Sequence, residues 1–353
     1  MAKTIMIMAG GTGGHVFPGL AVADELRGRG WRVVWLGAPG GMETTLVPRR
    51  GYEMAWVSFS GLRGKGLTAF ALLPLRLLRA FWQAARAIFA YRPDVVLGMG
   101  GYQSFPGGMM AALLNRPLVI HEQNSVAGLA NRILAGVADR ILCGFPSVLR
   151  NAVVTGNPVR PDIAALAAPA ERYGARSGRL KLLVVGGSLG AKILNEAVPQ
   201  ALALMPPERR PEVTHQSGAR HIGALAQRYS DAGVNANTIA FIDDMASAYS
   251  GADVVLCRAG ALTVSELAAA GVASILVPFP HAVDDHQTGN ARHLALAGAA
   301  ILLPQPELTP ERLGGLLAEL SREQLCGMAE KARAQALPDA TDAVARTCME
   351  VAG

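Results

Sequence analysis

The chain alternates short apolar runs, many of them β-branched, with longer segments rich in alanine and leucine. Short runs of this kind predict buried strands, and the longer segments between them predict helices. The predicted strands form two series, at residues 4–8, 32–36, 94–97, 117–120 and 140–142, and at residues 181–185, 212–215, 238–241, 253–256 and 274–277. Strands separated by helices form parallel sheets, so the pattern predicts an α/β fold with two doubly wound domains.

The two series are separated by residues 156–178, which hold three prolines among several alanines and arginines. Such a composition is typical of a segment between domains. We therefore expect an N-terminal domain over residues 1–158 and a C-terminal domain over residues 159–338, facing each other across a cleft. No strand follows the last helical segment, residues 339–353, which we expect to cap the chain or to pack back on the first domain.

The composition and the cysteine spacing indicate the class of protein and its cellular compartment. The 353 residues are 51% hydrophobic and 17% charged, which is typical of a globular protein. The four cysteines are far apart and form no C-x-x-C pair, so we expect reduced thiols and a cytoplasmic protein. The apolar run 5–9 is too short for a signal peptide, and the longest uncharged stretch, 95–115, is interrupted by five glycines and Pro106, which argues against a membrane span.

Each series opens with a strand that runs into a glycine-rich turn, at residues 10–14 and 186–190. A helix that starts there presents backbone N–H groups to an anion such as a phosphate. Neither turn has a Walker A or full G-x-G-x-x-G spacing, so each is equally consistent with close helix–strand packing. The second turn also matches G-x-S-x-G, the nucleophile elbow of α/β hydrolases, with Ser188 as nucleophile. A serine hydrolase and a non-catalytic nucleotide-binding module therefore stand as alternatives to a transferase.

Three later segments carry further candidate chemistry. Residues 98–108 are glycine-rich and follow a predicted strand, at the edge where open α/β sheets bind ligands, with an ordinary mobile loop as the alternative. At residues 260–266 a helix start offers the N–H groups of Leu262 and Thr263 to a diphosphate, and Glu266 either accepts from a ribose diol or compensates the helix dipole. Residues 284–287 place two aspartates beside His286 and Gln287; adjacent residues rarely converge on one metal ion, so polar contacts to a sugar are favoured.

His15 directly follows the first glycine turn. A neutral imidazole within about 3 Å of an incoming hydroxyl acts as a general base, and histidine is largely neutral near pH 7. The alternative is a histidine that only orders the start of the helix.

The positive charge is concentrated in one part of the chain. The net charge is +6, and no acidic residue occurs between Glu53 and Asp94, where six arginine and lysine residues lie. Within residues 67–90 bulky apolar and aromatic side chains surround an arginine stripe, a pattern that favours binding to an anionic membrane surface. An ordinary helix with its apolar face on a sheet is the alternative, and no nucleic-acid-binding motif accompanies the charge. The residues assigned to this acceptor and membrane face are Tyr102, Arg76, Arg79, Phe81, Trp82 and Arg86.

Six motifs together resemble those of the MurG family of peptidoglycan glycosyltransferases, in the family's order, from residue 8 to about residue 297. They are GGTGGHVFP at 10–18, GMGGY at 98–102, HEQN at 121–124, GNPVR at 156–160, GGSLGA at 186–191 and RAGALTVSE at 258–266.

The resemblance implies a GT-B fold of two Rossmann-like domains, with the donor held mainly by the second and with no cofactor or catalytic metal. It implies that N-acetylglucosamine moves with inversion from UDP-N-acetylglucosamine to the muramoyl 4-hydroxyl of lipid I, an undecaprenyl-diphosphate-linked acceptor, forming lipid II. It also implies a peripheral protein on the cytoplasmic face of the bacterial inner membrane.

The same resemblance assigns residues to the donor, and His15 to the base. The donor residues are Thr12, Gly13 and Gly14 at the transfer site, Asn124 and Gln287 on the sugar, Arg160 and Ser188 along the nucleotide and phosphates, Ile242 on the uracil through its backbone, and Ala261, Leu262, Thr263, Val264, Ser265 and Glu266 on the diphosphate and ribose. Because residues 284–287 vary within the family, only Gln287 is carried over and His286 stays unassigned.

Overall fold

The computed structural model describes residues 2–59, 72–146, 148–187 and 190–353. The chain forms two compact units, Met1–Val159 with Leu337–Gly353, and Arg160–Ala336. In each unit a parallel sheet is flanked by helices. The predicted fold class, α/β with two doubly wound parallel-sheet domains, is confirmed.

Unit 1 contains a seven-stranded sheet in the order β3-β2-β1-β4-β5-β6-β7. Its strands are β1 Thr4–Ala9, β2 Arg32–Gly37, β3 Glu53–Trp56, β4 Val95–Gly100, β5 Leu118–Glu122, β6 Arg140–Cys143 and β7 Val153–Val154. Its helices are α1 Gly13–Gly28, α2 Glu43–Arg49, α3 Leu73–Tyr91, α4 Ser104–Leu113 and α5 Leu129–Leu134, together with the last helix of the chain, α15 Ala340–Val351.

Unit 2 contains a six-stranded sheet in the order β10-β9-β8-β11-β12-β13. Its strands are β8 Lys181–Val185, β9 Glu212–Gln216, β10 Asn237–Ile239, β11 Val254–Cys257, β12 Ala273–Leu276 and β13 Ala300–Leu302. Its α-helices are α6 Pro161–Ala164, α7 Pro169–Gly174, α8 Lys192–Ala203, α9 Ile222–Asp231, α10 Met245–Gly251, α11 Ala261–Ala270, α12 His286–Leu296, α13 Pro310–Glu319 and α14 Arg322–Ala334. Short 3-10 helices lie at Pro207–Arg209, Val283–Asp285 and Gln305–Glu307.

The strand order reverses at one point in each sheet, between β1 and β4 in unit 1 and between β8 and β11 in unit 2. The loops that leave two such strands run to opposite sides of the sheet, which opens a crevice at the carboxyl edge where α/β proteins bind ligands. The glycine-rich segments at 10–14 and 186–190 follow β1 and β8, and the segment at 98–108 begins in the last residues of β4. Residues 258–260, which end in Gly260, follow β11. All four lie at reversal points.

Side chains of β1 alternate between two separate cores. Ile5 and Ile7 pack with α1 on one face of the sheet, whereas Met6 and Met8 pack with α3 and α4 on the other. All four are fully buried. Because successive side chains of a strand point to opposite faces, a sheet covered by helices on both sides needs an unbroken apolar run, as β1 has.

Three strands were not predicted from the sequence: β3, β7 and β13. Each is short and lies at or near a sheet edge, and most of its residues are at least partly exposed. An edge strand needs neither length nor a continuous apolar run, so periodicity gives little signal for it.

The prediction of an interdomain segment over residues 156–178 was wrong for most of that range, because α6 and α7 belong to unit 2. Tyr173 is buried and donates a hydrogen bond to the Asp253 carbonyl at 2.7 Å. The buried Arg172 donates to the carbonyls of Ala270 and Gly271 at the end of α11, at 2.5 and 2.6 Å. Prolines here start short packed helices at their first turn, where a missing N–H costs nothing.

The C-terminal helix α15 is part of the core of unit 1. Val344, Ala345 and Cys348 are fully buried and join the cluster that contains Val16 and Leu20 of α1. The end of the chain therefore stabilises the unit that its beginning forms.

We expect Val344→Ala to lower the free energy of unfolding of unit 1 by about 2 kcal/mol, because it removes two buried methyl groups and leaves a cavity. All four tryptophans of the chain, Trp31, Trp35, Trp56 and Trp82, belong to unit 1. Urea unfolding followed by tryptophan fluorescence therefore reports on this unit.

The control is Arg346→Ala on the exposed side of the same helix, which we expect to change the unfolding free energy by less than about 0.5 kcal/mol. Equal effects of the two substitutions would contradict the packing of α15 on α1.

Candidate active site

The turn after β1 leads directly into α1. Thr12 is the N-cap, and its carbonyl accepts hydrogen bonds from the N–H groups of His15 and Val16, both at 3.2 Å. The Thr12 side chain is exposed and does not cap the helix, and the first turn contains no acidic residue. Thr12 and the N–H groups of the half-buried Gly13 and Gly14 thus form a polar helix start that favours oxygen atoms of a ligand.

His15 lies where the turn after β1 meets the end of β4. A Cβ atom on Gly100 would lie 2.7 Å from Nδ1 and 2.8 Å from Cε1 of the imidazole, so the ring packs directly against this glycine. Gly100 has φ +103°, a conformation that side-chain-bearing residues rarely adopt. The glycine-rich segment after β4 therefore gives the imidazole the space it occupies.

A chain of hydrogen bonds connects His15 to the interior of unit 1. His15 Nδ1 lies 2.8 Å from Gln123 Oε1, and Gln123 Nε2 lies 3.1 Å from His121 Nδ1. His121 Nε2 lies 2.8 Å from the carbonyl oxygen of Gly156. His121 and Gln123 are buried, and burial lowers the pKa of His121 to about 4.

Sequence reasoning missed Gln123, as it missed Glu43 on the other side of the turn. The Glu43 carboxylate is fully buried and accepts from the N–H groups of Gly11 at 3.0 Å and Ala38 at 3.1 Å. A Cβ atom on Gly10 would lie 2.2 Å from Glu43 Oε1, so the turn requires glycine at this position. Glu43 begins the short helix α2, and no pattern in the sequence identifies it as the partner of Gly11 and Ala38.

Asn124 is held by its neighbour Glu122 at the end of β5. Glu122 Oε1 accepts from the Asn124 backbone N–H at 3.0 Å and from its side-chain Nδ2 at 3.3 Å. Glu122 Oε2 accepts from Gly128 N at 3.1 Å and from Asn131 Nδ2 at 2.8 Å. The HEQN segment thus holds its buried glutamate in place with local donors.

In unit 2, α11 starts at the reversal point beside β8. Gly260 is the N-cap, no side chain caps the helix, and its first turn contains no acidic residue. Ala261 and Val264 are buried, whereas Leu262, Thr263 and Ser265 are half-buried. Backbone N–H groups at such a start bind phosphate oxygens.

Glu266 and Arg160, which are 106 positions apart, form an ion pair. Arg160 donates to Glu266 Oε1 through Nη2 at 3.0 Å and Nε at 3.2 Å, and Tyr249 donates to Oε2 at 3.3 Å. Burial raises the pKa of Glu266, and Arg160 opposes that rise. The sequence assigned these two residues to the ribose and the phosphates separately; the structure brings them together and adds Tyr249.

Gln287 lies in the first turn of α12. Its Oε1 accepts from the N–H groups of Phe279 at 2.9 Å and Ala259 at 3.3 Å, so the amide offers its Nε2 as a donor to a ligand hydroxyl. Ile242 is half-buried and lies between β10 and α10. Asp244 caps the N-terminus of α10, because its Oδ1 accepts a hydrogen bond from Ser247 N at 2.9 Å. Among the described residues, no group of three His, Cys, Asp or Glu side chains is arranged to hold a metal ion.

Ser188 lies outside the described residues, so its assignment stays a prediction. Gln216 accepts from Gly187 N and donates to Gly187 O, both at 3.1 Å, and thereby holds the first residues after β8. His215, the first of the histidines that a Ser188 hydrolase would require downstream, is fully buried and bonded to Tyr229 at 2.9 Å and Asn195 at 3.0 Å. That arrangement gives the hydrolase alternative no support.

The helix α3 has its large apolar side chains on the outside. Leu75, Leu78, Trp82 and Phe89 are 61–66% exposed, while three alanines and Ile88 face the sheet. The exposed residues recur at helical spacing along one face. Small residues against the sheet and large ones toward solvent reverse the usual amphipathic pattern.

The arginines of the predicted membrane face lie beside these side chains. Arg76, Arg79 and Arg86 are exposed, and the Arg86 guanidinium lies 5.7 Å from the centre of the Trp82 ring. Tyr102 is also exposed, at 53%. Phe81 differs from the others, because it is half-buried with its ring 5.9 Å from that of Phe105. Residues 63 and 65, which add to the positive charge, lie outside the described residues.

Family models match both units of this chain, and curated relatives match nearly its whole length. Residues 5–143 match the glycosyltransferase family 28 N-terminal domain, and residues 181–347 match the glycosyltransferase family 28 C-terminal domain. A protein of Azoarcus sp. (strain BH72) is 67% identical over 350 residues, covering 99% of this chain and 98% of its own. A protein of Dechloromonas aromatica (strain RCB) is 64% identical over 352 residues, covering 100% of both chains.

Both relatives are named UDP-N-acetylglucosamine–N-acetylmuramyl-(pentapeptide) pyrophosphoryl-undecaprenol N-acetylglucosamine transferase. Among solved structures, the crystal structure of Acinetobacter baumannii MurG superposes with a TM-score of 0.86 at 41% identity, covering 99% of each chain.

The buried His121 predicts how the stability of unit 1 depends on pH. Its pKa is about 4 in the folded chain and about 6.5 when exposed, so its neutral form stabilises the fold fully above pH 6.5. As the pH falls from 6.5 to 4, His121 binds a proton in the unfolded chain before it does so in the folded chain. We therefore expect the free energy of unfolding of unit 1 to fall by roughly 3 kcal/mol through this group. Tryptophan-monitored urea unfolding at pH 7 and pH 4.5 measures the difference.

His121→Gln removes the titration and should reduce the stability difference between the two pH values, whatever it does to absolute stability. His281→Gln, at an exposed histidine of unit 2, is the control and should leave that difference unchanged. An unaltered pH dependence in His121→Gln would refute the assignment.

Proposed function

The chain belongs to glycosyltransferase family 28, and from this premise we propose that it transfers N-acetylglucosamine from UDP-N-acetylglucosamine to the muramoyl 4-hydroxyl of lipid I, forming lipid II with inversion. The observation that carries the proposal is an identity of at least 64% over essentially the full length to relatives named for this transfer. The polar groups at both reversal points support it.

On the donor side, the N-terminus of α11 is suited to the diphosphate of UDP-N-acetylglucosamine. Residues 261–265 supply N–H groups there, and Ser188 and Arg160 add polar contacts to the nucleotide. Ile242 meets the uracil through its backbone, and Gln287 donates to a sugar hydroxyl. As the glycosidic bond breaks, negative charge grows on the leaving UDP, and fixed N–H dipoles stabilise that charge without rearranging.

Glu266 binds the ribose in this proposal. Its oxygens accept hydrogen bonds from Arg160 and Tyr249. A ribose diol that donates to the carboxylate then shares it with Arg160, which becomes able to turn toward the diphosphate. The ion pair thus favours the charged form of this carboxylate against the upward shift of its pKa that burial causes.

On the acceptor side, His15 acts as the base. The acceptor hydroxyl attacks the anomeric carbon from the face opposite UDP and gives its proton to the imidazole. Thr12, Gly13 and Gly14 supply polar contacts next to it at the start of α1, and Asn124 contacts the transferred sugar. General base catalysis of this kind contributes roughly 10²–10⁴-fold to the rate.

The test is UDP release from UDP-N-acetylglucosamine in the presence of EDTA, with and without a lipid I analogue. We expect release only with the acceptor, and we expect His15→Gln to lower kcat by roughly 10²–10⁴-fold with little change in the donor KM.

Other outcomes identify the alternatives. Donor binding without acceptor-dependent release would show a binding module. Ester hydrolysis that Ser188→Ala abolishes, without binding of the UDP-sugar, would show a hydrolase.

We further propose that α3 attaches the protein to the anionic cytoplasmic face of the bacterial inner membrane, where its lipid-linked acceptor resides. The exposed Leu75, Leu78, Trp82 and Phe89 are suited to the acyl boundary, and Arg79 and Arg86 to the headgroups. No helix in the described part of the chain is long and apolar enough to cross a membrane.

A triple variant of α3 should bind more weakly to vesicles that contain phosphatidylglycerol. It carries the substitutions Arg76→Ser, Arg79→Ser and Arg86→Ser. Each arginine near such a surface contributes about 1 kcal/mol, and added salt should reduce the difference from the unaltered protein.

The matched control replaces Arg179, Arg312 and Arg346, which are exposed and lie outside α3, with serine. It makes the same change in net charge and should bind as the unaltered protein does. Co-sedimentation with vesicles measures both, and equal losses in the two triple variants would contradict the role of α3.

A further inference from the structure

The chain of hydrogen bonds that ends at His15 has a direction, and that direction is set at its buried end. The carbonyl oxygen of Gly156 can only accept, so His121 Nε2, 2.8 Å away, must carry the proton of that bond. Burial lowers the pKa of His121 to about 4, so the ring is neutral near pH 7 and its Nδ1 is an acceptor.

The next member, the amide of Gln123, is oriented by two acceptors. Its Nε2 lies 3.1 Å from His121 Nδ1 and 3.1 Å from the His121 carbonyl oxygen. Both partners accept only, so both amide protons point at His121, and the nitrogen and oxygen of the amide cannot be exchanged without losing both bonds. The backbone carbonyl oxygen of Gln123 accepts a hydrogen bond from Asn157 Nδ2 at 3.0 Å, which holds the main chain at Gln123 in place.

The orientation of the amide decides the protonation of His15. Gln123 Oε1, 2.8 Å from His15 Nδ1, can only accept, so Nδ1 must carry the proton. In the neutral imidazole the other nitrogen, Nε2, is then bare. Nε2 makes no hydrogen bond to the described residues, and the ring cannot shift far because it packs on Gly100.

We propose that Gln123 is a positioning residue that sets the tautomer of His15, holding Nδ1 protonated and leaving Nε2 bare as the proton acceptor. This rests on the proposed function of His15 as the base. When the acceptor oxygen attacks the anomeric carbon, its proton passes to Nε2, and the electrons of the breaking glycosidic bond leave with UDP. The resulting imidazolium keeps its Nδ1–H bond to Gln123 Oε1, which stabilises the positive charge.

Few ionisable groups face this chain of hydrogen bonds among the described residues. His121 lies within it, and the Glu122 carboxylate lies beside His121 and is held by Asn124, Gly128 and Asn131. Glu43 is bonded to the turn at Gly11. Because the neutral amide, and not a carboxylate, contacts His15, the base gains orientation without a neighbouring negative charge.

The direct test is the ¹⁵N–¹H correlation spectrum of full-length protein labelled in its seven histidines, with His15→Gln and His121→Gln used for assignment. We expect a protonated Nδ1 and bare Nε2 in His15, and the reverse in His121. In Gln123→Leu the His15 signal should shift toward a mixture of tautomers. A His15 that carries its proton on Nε2 in the unaltered protein would overturn the proposal.

The second test is kinetic, using acceptor-dependent UDP release. Gln123→Leu should lower kcat at least about tenfold, within the limit of general base catalysis, while the KM for UDP-N-acetylglucosamine stays unchanged. Gln123→Glu keeps an acceptor for Nδ1–H but adds a negative charge that favours the imidazolium. The acid limb of its kcat/KM profile should therefore move to higher pH, which a purely structural role would not produce.

The control is Gln227→Leu on α9, which removes an exposed amide that bonds to Asp231 and should change neither spectrum nor kinetics. Tryptophan-monitored unfolding checks that the Gln123 variants are folded at the assay temperature. An unchanged pH profile in folded Gln123→Glu would refute the positioning role. If the tautomers are as stated but no acceptor-dependent release occurs, the proposed function fails and the tautomer assignment stands.

Discussion

Parallel strand pairing is the constraint on which the rest of this structure depends. All strands of a parallel sheet end at the same edge, and where the strand order reverses, the connecting loops separate and leave their polar groups uncovered. β1 and β4 in unit 1, and β8 and β11 in unit 2, end at such points. The glycine-rich segments lie there, after strands that are mostly buried, at the edge where open α/β sheets bind ligands.

Buried polar groups then determine what these loops present. Glu43 is satisfied by two backbone N–H groups, Glu122 by three residues that follow it, and Glu266 by Arg160 and Tyr249. An unsatisfied buried group costs about 1–3 kcal/mol, and more when it is charged, so each carboxylate selects one arrangement of its loop. The same reasoning explains why a single backbone carbonyl, that of Gly156, sets the direction of a hydrogen-bond chain that reaches the surface at His15.

The sequence predicted the long buried strands well and the edge strands poorly. β1, β4 and β8 read as continuous apolar runs because helices cover both faces of each sheet, whereas β7 and β13 bury little and leave almost no pattern. Residues 161–174 were misjudged because proline and alanine are equally common in linkers and at the starts of short helices. α3 was identified as basic and apolar, but only packing shows that its alanines face the sheet and its tryptophan faces solvent.

By itself the sequence determined the α/β class, the duplicated strand–turn–helix opening and the family, because these depend on local periodicity and on motifs read in order. The tertiary structure alone decided which distant residues meet: Gln123 with His15, Arg160 with Glu266, and the C-terminal helix with α1. Such pairings leave no local signal, since they follow from strand order and from the need to satisfy buried polar groups. The protonation state proposed for His15 belongs to this second kind, because it depends on a carbonyl group 141 positions away in the chain.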